Sequence, residues 1–202
     1  MKNNVTYTLA GGSSELRSDL DFYETPPDVT KAFLDASGWQ PKTRVIWEPA
    51  AGNNAIANVL SERFQVQVIS TDIKQRQEYI AAEVDFLAHP GWVDHPQLEN
   101  KDIVTNPPFS HAQQFVEKAL ELVDGDVVML LRLAFLETQG RRTLFDRKHL
   151  REVWVSSKRI HFSSPALERR AKETGKKSNS GMAMAWFIFN RNYNGDPVIK
   201  WF

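Results

Sequence analysis

The sequence predicts an α/β protein, a single domain with a mostly parallel sheet and helices on both faces. Three observations lead there. Apolar runs of strand length alternate with amphipathic stretches of helix length from Val45 to Leu131, the pattern of strand–helix repeats that build a parallel sheet. Glu48, Asp72 and Asn106 each stand at or just past the end of such a run, and sheets of this kind gather ligands beyond the carboxyl ends of their strands. Finally, 202 residues, 42% of them hydrophobic and 25% charged, suffice for one packed core.

From Met1 to about Ser18 the chain is polar and rich in Gly and Ser, so a flexible segment is expected there, with the domain running over residues 19–202. "TPPDVTKAFLDASGW" opens a helix, with Pro27 in its first turn and Val29, Ala32, Phe33 and Ala36 at helical spacing. "TRVIWEPAAG" is a short strand ending in an acid, a proline and a glycine. "NNAIANVLSERF" reads as an amphipathic helix and "VQVISTDI" as a second strand ending at Asp72. "DIVTNPPF" is a further strand, "SHAQQFVEKALELV" a helix, and "DVVMLLRLAFL" a long apolar strand. "TQGRRTLFDRKHL" reads as helical, "REVWVSS" as a strand, and "GMAMAWFIFN" as a last strand rich in aromatic residues. A polar stretch over residues 163–180 interrupts this order.

The formal net charge is zero, which disfavours a globally basic nucleic-acid coat and leaves any polyanion contact to a local patch. With no cysteine, disulfides, thiolate metal sites and cysteine nucleophiles are excluded, and no metal site is expected. The N-terminus lacks the apolar core of a signal peptide, and no run approaches the roughly 20 apolar residues of a membrane span, so a cytoplasmic setting is expected.

"EPAAG", Glu48 to Gly52, is a strand-to-helix turn of small residues that lets a ligand approach the backbone and the helix N-terminus behind it. It lacks the glycines and lysine of a phosphate loop. An acid at that point repels phosphate and attracts a cationic group such as an ammonium or a sulfonium. A plain strand-to-helix turn is the competing reading. Asp72 suits bidentate acceptance from two ribose hydroxyls, or else caps a helix. Asp85 and Phe86 pair an acid able to read an adenine edge with a ring able to cover its face; a solvated Asp beside a core Phe is the alternative.

"NPPF", Asn106 to Phe109, is the most telling segment. Two prolines fix φ at successive positions and remove N–H donors, leaving carbonyl oxygens to accept. Asn106 adds a side-chain carbonyl. Two acceptors converging on an NH₂ group hold both its hydrogens and keep its lone pair out of a ring, while Phe109 offers a face for a flat base. Rigidity suits a task in which small misplacements are costly.

These segments resemble the class I S-adenosylmethionine-dependent amino methyltransferases. "NPPF" matches their [ND]PP[FYW] motif, "EPAAG" their cofactor loop, "TDI" at Thr71 to Ile73 the end of their second strand, and "DF" at Asp85-Phe86 their acidic-aromatic pair. "FYETPPDVTKAFL" resembles the F-x-TP helix of adenine methyltransferases, and "LLRLAFLE" and "MAMAWFIFN" are similar to small phage and prophage DNA adenine enzymes. The resemblance spans about Phe22 to Asn190. It implies a Rossmann-like sheet of seven strands with a C-terminal antiparallel hairpin. It also implies transfer of a methyl group from S-adenosylmethionine to the N-6 amino group of an adenine flipped out of duplex DNA. The implied catalytic set is Asn106, Pro107, Pro108 and Phe109. The implied cofactor set is Tyr23, Thr25, Pro26, Glu48, Pro49, Ala50, Gly52, Asn54, Asp72, Ile73, Asp85, Phe86 and Asn106.

One position departs from the family, since Asn54 stands where the cofactor loop carries a second glycine. Asn tolerates left-handed backbone angles, so the turn is expected to survive with a side chain crowding the methionine moiety. A basic insertion around residues 158–180 supplies Lys158, Arg159, Arg169, Arg170, Lys172, Lys176 and Lys177 for phosphate contact, with Arg141 and Arg142 as an extension. A solvated basic loop is the competing reading. Alternative functions are methylation of RNA adenine or of another amino group, and a non-catalytic nucleic-acid-binding protein that retains the fold.

Overall fold

The structure, a computed structural model, describes residues 23–74, 82–89, 100–162, 172–173 and 181–202. The expected flexible segment over residues 1–18 and most of the basic insertion lie outside the described residues. Eight strands form one sheet among the described residues: β1 (Val45–Glu48), β2 (Gln67–Asp72), β3 (Ala82–Glu83), β4 (Asp102–Thr105), β5 (Val127–Arg132), β6 (Leu150–Val155), β7 (Met184–Phe189) and β8 (Val198–Trp201). Their spatial order is β3-β2-β1-β4-β5-β7-β6-β8. All pair in parallel except β7, which runs antiparallel to both β5 and β6.

The expected count of seven strands is therefore corrected to eight. The parallel core and the antiparallel β6–β7 pair are as expected, and β8 adds an edge strand parallel to β6. Two further corrections concern length. β5 stops at Arg132, and Leu133–Leu136 turns into a 3₁₀ helix that sends Phe135 back into the core, 3% exposed. Only Arg142–Asp146 of the expected helix after β5 is α-helical: Gln139–Arg141 forms a 3₁₀ turn after Thr138 at φ 91°, and Lys148 at a left-handed φ of 60° lies just past the helix end.

Strand alternation sorts the core onto two faces. Val127, Met129 and Leu131 of β5, with Ala185, Phe187 and Phe189 of β7, face α3 (Ala112–Leu122) and α4 (Arg142–Asp146). Val128 and Leu130, with Met184, Trp186 and Ile188, face α1 (Pro27–Ser37) and α2 (Ala55–Arg63). Phe33 of α1 is fully buried, its ring 4.9 Å from that of Trp186 in a stacked pair. α1 starts on Pro27, whose missing N–H costs nothing in a first turn, and ends on Gly38 at φ 61°, which donates its N–H to the Leu34 carbonyl.

At the amino edge of the sheet, the carboxylate of Asp126 is fully buried. It accepts two hydrogen bonds from Arg151 at 2.9 and 3.0 Å, one from Trp39 Nε1 at 3.0 Å and one from Asn190 Nδ2 at 2.9 Å. That network ties α1, β5, β6 and β7 together behind the opposite, carboxyl edge, where the polar residues gather.

Candidate active site

The carboxyl ends of β1, β2 and β4 open onto a cavity of about 350 Å³, within the usual size of a small-molecule site. Its floor is the turn after β1. Gly52 has φ 54° and Asn54 φ 61°, both left-handed, and the tight turn is closed by Asn54 donating its N–H to the Ala51 carbonyl at 2.8 Å. Asn54 makes no side-chain cap on α2. Glu48 does that work instead, its Oε2 accepting the Ala57 N–H at 2.7 Å. Glu48 is 1% exposed, and burial pushes its carboxyl well above the usual range, with the charge of Asp72 adding to the effect and the Ala57 hydrogen bond opposing it.

Asp72 braces the same turn. Its Oδ2 accepts from the Gly52 N–H at 2.8 Å and its Oδ1 from the Lys74 N–H at 3.1 Å, leaving a lone pair on each oxygen for a ligand. Ile73, 63% exposed, lies beside it on the cavity wall with Leu87. Asp85 turns its Oδ1 onto the N–H groups of Leu87 and Ala88 at 3.0 and 3.3 Å, and also lines the cavity. Phe86 is a core residue, 2% exposed and stacked on Phe115 at 4.8 Å, so little of its ring is open to a ligand.

The far wall is Asn106 to Pro108. Asn106 donates through Nδ2 to the Tyr23 carbonyl at 3.3 Å and to Thr25 Oγ1 at 3.0 Å. Because a backbone carbonyl only accepts, the amide end facing Tyr23 must be the nitrogen. Its Oδ1 is consequently turned the other way, buried and without a hydrogen-bond partner among the described residues. Such an orphan acceptor is costly unless something occupies it.

Phe109 stands outside the cavity lining, in an aromatic cluster. Its ring centre is 5.1 Å from that of Tyr23 in a stacked arrangement and 6.1 Å from that of Phe162, edge-on. The guanidinium of Arg132 lies 4.9 Å from the same ring centre. Neither Phe162 nor Arg132 was singled out by the sequence, since only the fold brings them to Phe109. His111, Glu24, Asn53 and Phe115 are cavity-lining residues that the motif reading also passed over.

Of the expected cofactor residues, Tyr23, Thr25, Glu48, Pro49, Ala50, Gly52, Asp72, Ile73, Asp85, Phe86 and Asn106 line this one cavity, together with Pro107 and Pro108. Pro26 and Asn54 do not. Asn54 is 7% exposed, and its side-chain oxygen is buried without a hydrogen-bond partner among the described residues. Four carboxylates line the cavity (Glu24, Glu48, Asp72 and Asp85) with no Lys or Arg among the lining residues, a setting that disfavours a diphosphate and favours a cation. Small residues at the turn, hydroxyl acceptors at Asp72 and an apolar flank at Ile73 and Leu87 fit a nucleoside carrying a positive charge.

Among the expected phosphate contacts, Lys158 and Lys172 are exposed, and Arg159 is exposed while donating to the Gly181 carbonyl at 3.1 Å. Arg169, Arg170, Lys176 and Lys177 lie outside the described residues. Arg141 does not extend the patch: it donates to the carbonyls of Ala134, Phe135 and Glu137, each at 3.2 Å, and so clamps the turn after β5. Arg142 pairs with Asp146 at 2.7 Å. Among the described residues there is no group of three or more His, Asp or Glu side chains arranged to hold a metal, and no helix long and apolar enough to cross a membrane.

No family model and no curated protein matches the chain. Among solved structures it is similar to a proposed RNA methyltransferase from Pyrococcus horikoshii, at TM-score 0.55 and 13% identity, covering 91% of this chain and 93% of that one. It is also similar to a proposed haemolysin from Lactococcus lactis, at TM-score 0.57 and 10% identity over 85% and 90% of the two chains. A chain from a structure of the type I R-M system matches at TM-score 0.51 and 14% identity, over 89% of this chain and 44% of that one. At such identities the likeness concerns the path of the chain, and in that respect this protein has the Rossmann-like fold of the class I methyltransferases.

Proposed function

We propose that the protein transfers a methyl group from S-adenosylmethionine to the exocyclic N-6 amino group of adenine in DNA. The observation that carries this reading is the side-chain oxygen of Asn106, an unpartnered buried acceptor held in place by the Tyr23 carbonyl and the Thr25 hydroxyl at the wall of an acidic cavity. S-Adenosylmethionine supplies an electrophilic methyl group on a sulfonium that is already a good leaving group. The residues around it then need only bind and orient. Glu48, Asp72 and Asp85 favour the cation and its hydroxyls, and Ile73 and Leu87 flank its base.

Asn106 Oδ1 and the Pro107 carbonyl accept the two hydrogens of the target amine, and Phe109 gives the base a face to lie against once the guanidinium over its ring moves aside. With both hydrogens held, the nitrogen lone pair is turned out of the ring and becomes nucleophilic, so positioning and electrostatics carry the rate. The proton released after transfer passes to solvent. The "NPPF" and "TPP" segments favour adenine in DNA, while the solved neighbour named as a proposed RNA methyltransferase makes RNA the comparison arm.

Tritiated methyl transfer onto duplex DNA, single-stranded DNA and RNA, side by side, tests the proposal. Label should accumulate as N-6-methyladenine, fastest in duplex DNA. Asn106→Ala should lower transfer by roughly a hundredfold or more, as loss of one preorganised polar group does at other sites, while leaving cofactor binding intact. Absence of S-adenosylmethionine binding at millimolar concentration would instead support the non-catalytic alternative.

A further inference from the structure

Arg132 has no part in the chemistry above, yet it ends β5 at the same rim as Asn106. Several other described arginines give their guanidinium groups away within the fold, although Arg44 and Arg147 are exposed and, like Arg132, make no ion pair. Arg63 pairs with Asp35, Arg151 with Asp126 and Arg191 with Asp124, while Arg141 and Arg159 donate to backbone carbonyls. Arg132 is exposed, and its side chain has no hydrogen bond or ion pair among the described residues. Its guanidinium lies instead 4.9 Å from the ring centre of Phe109.

The backbone there is fixed on both sides. Arg132 pairs with Met184 across the sheet, and the Leu133 N–H donates to the Ala183 carbonyl at 2.9 Å, so only the side chain is free to move. A guanidinium held against a ring keeps its N–H fork unspent, and that planar fork matches a phosphate bidentately at low desolvation cost. A ligand whose flat group lies at Phe109 and which carries an anion close by is a nucleotide. A glutamine side chain offered by a protein substrate carries none.

We propose that Arg132 grips the phosphodiester next to the nucleotide whose base enters beside Phe109, which makes it a positioning residue and makes the substrate a nucleic acid rather than a protein amide. This inference rests on the amino-methylating reading of the site. It adds an electrostatic grip that the zero net charge of the chain would otherwise leave to the basic insertion alone.

The test compares wild type, Arg132→Gln and Arg132→Lys on unmodified mixed-sequence duplex DNA, reading KM for DNA across a salt series and duplex binding by fluorescence anisotropy. Arg132→Gln should raise KM about tenfold, the weight of one charge-assisted contact, and lower the slope of log affinity against log salt by about one. Arg132→Lys should keep the slope and recover only part of the KM, because charge remains while the fork and the stack are lost. Cofactor titration and thermal melting should be unchanged in both variants, which shows that the fold is intact. An unchanged salt slope in Arg132→Gln overturns the inference, as does transfer by wild type to a glutamine peptide and to no nucleic acid. The anisotropy series decides the point without turnover. A protein that binds duplex with the expected slopes and transfers no methyl therefore refutes the proposed activity and leaves the grip standing.

Discussion

The side-chain oxygen of Asn106 is available because two other groups hold the nitrogen. Thr25→Val keeps the volume and removes one of those two holders, so the amide is freer to turn its nitrogen toward the target. A fall of about tenfold in kcat is expected, the weight of one hydrogen bond, with Thr25→Ser restoring the rate. Equal rates in the valine and serine variants would show that Thr25 only fills space. The place of Asn106, Pro107 and Pro108 on the cavity wall was legible because the motif directly follows a strand, whereas Phe109 falls outside that wall. The direction of the amide was not legible, because Tyr23 and Thr25 reach it only through the fold. Phe86 does two things at once, lining the cavity while filling the core beside Phe115.

Glu48 makes a second prediction at this scale. Burial raises its carboxyl well above the usual range, so the protein folds more favourably with Glu48 protonated. That contribution is complete at pH below the unfolded value and is lost as pH rises through the folded one. Glu48→Gln should therefore flatten the decline of stability with rising pH in chemical denaturation. A cationic ligand reverses the preference and draws the proton off. Cofactor titration in buffers of different ionisation enthalpy should register proton release, at pH below the raised Glu48 value, in wild type and none in Glu48→Gln.

Among the elements, strands and helices that alternate in the first part of the chain were read correctly, because a parallel sheet buried on both faces writes long apolar runs. The misreadings have separate causes. "LAFL" continues the apolar run of β5, yet it is a 3₁₀ turn, and burial of Phe135 demands the same residue types in either conformation. β3 and β8 escaped notice because two exposed residues and four exposed residues carry no alternation to read. The network on Asp126 is likewise invisible in sequence, being assembled from Trp39, Arg151 and Asn190. Asp126→Ala should destabilise the fold by about 3 kcal/mol in urea denaturation, since it strands donors behind a fully buried position. A change under about 1 kcal/mol would mean that solvent replaces the carboxylate.

For the molecule as a whole, zero net charge hides a division of labour. The cavity is lined by acids, while Arg132, Lys158 and Arg159 are exposed at or past the carboxyl ends of their strands, so on the proposed function a cation and a polyanion would be drawn to neighbouring places on one edge of one sheet. The division was legible only in part, as the sequence pointed to the acids and to the basic insertion but not to Arg132.

The short stretch from Tyr23 to Thr25 belongs to both places, walling the cavity with one side and steadying Asn106 with the other. A ligand that settles that stretch also prepares the acceptor, so the two substrates should help each other on. By reciprocity, S-adenosylhomocysteine should tighten duplex binding several-fold, and duplex should tighten S-adenosylhomocysteine by the same factor. Paired titrations in both orders of addition measure that factor, and a value of one would mean that the two compartments are filled independently.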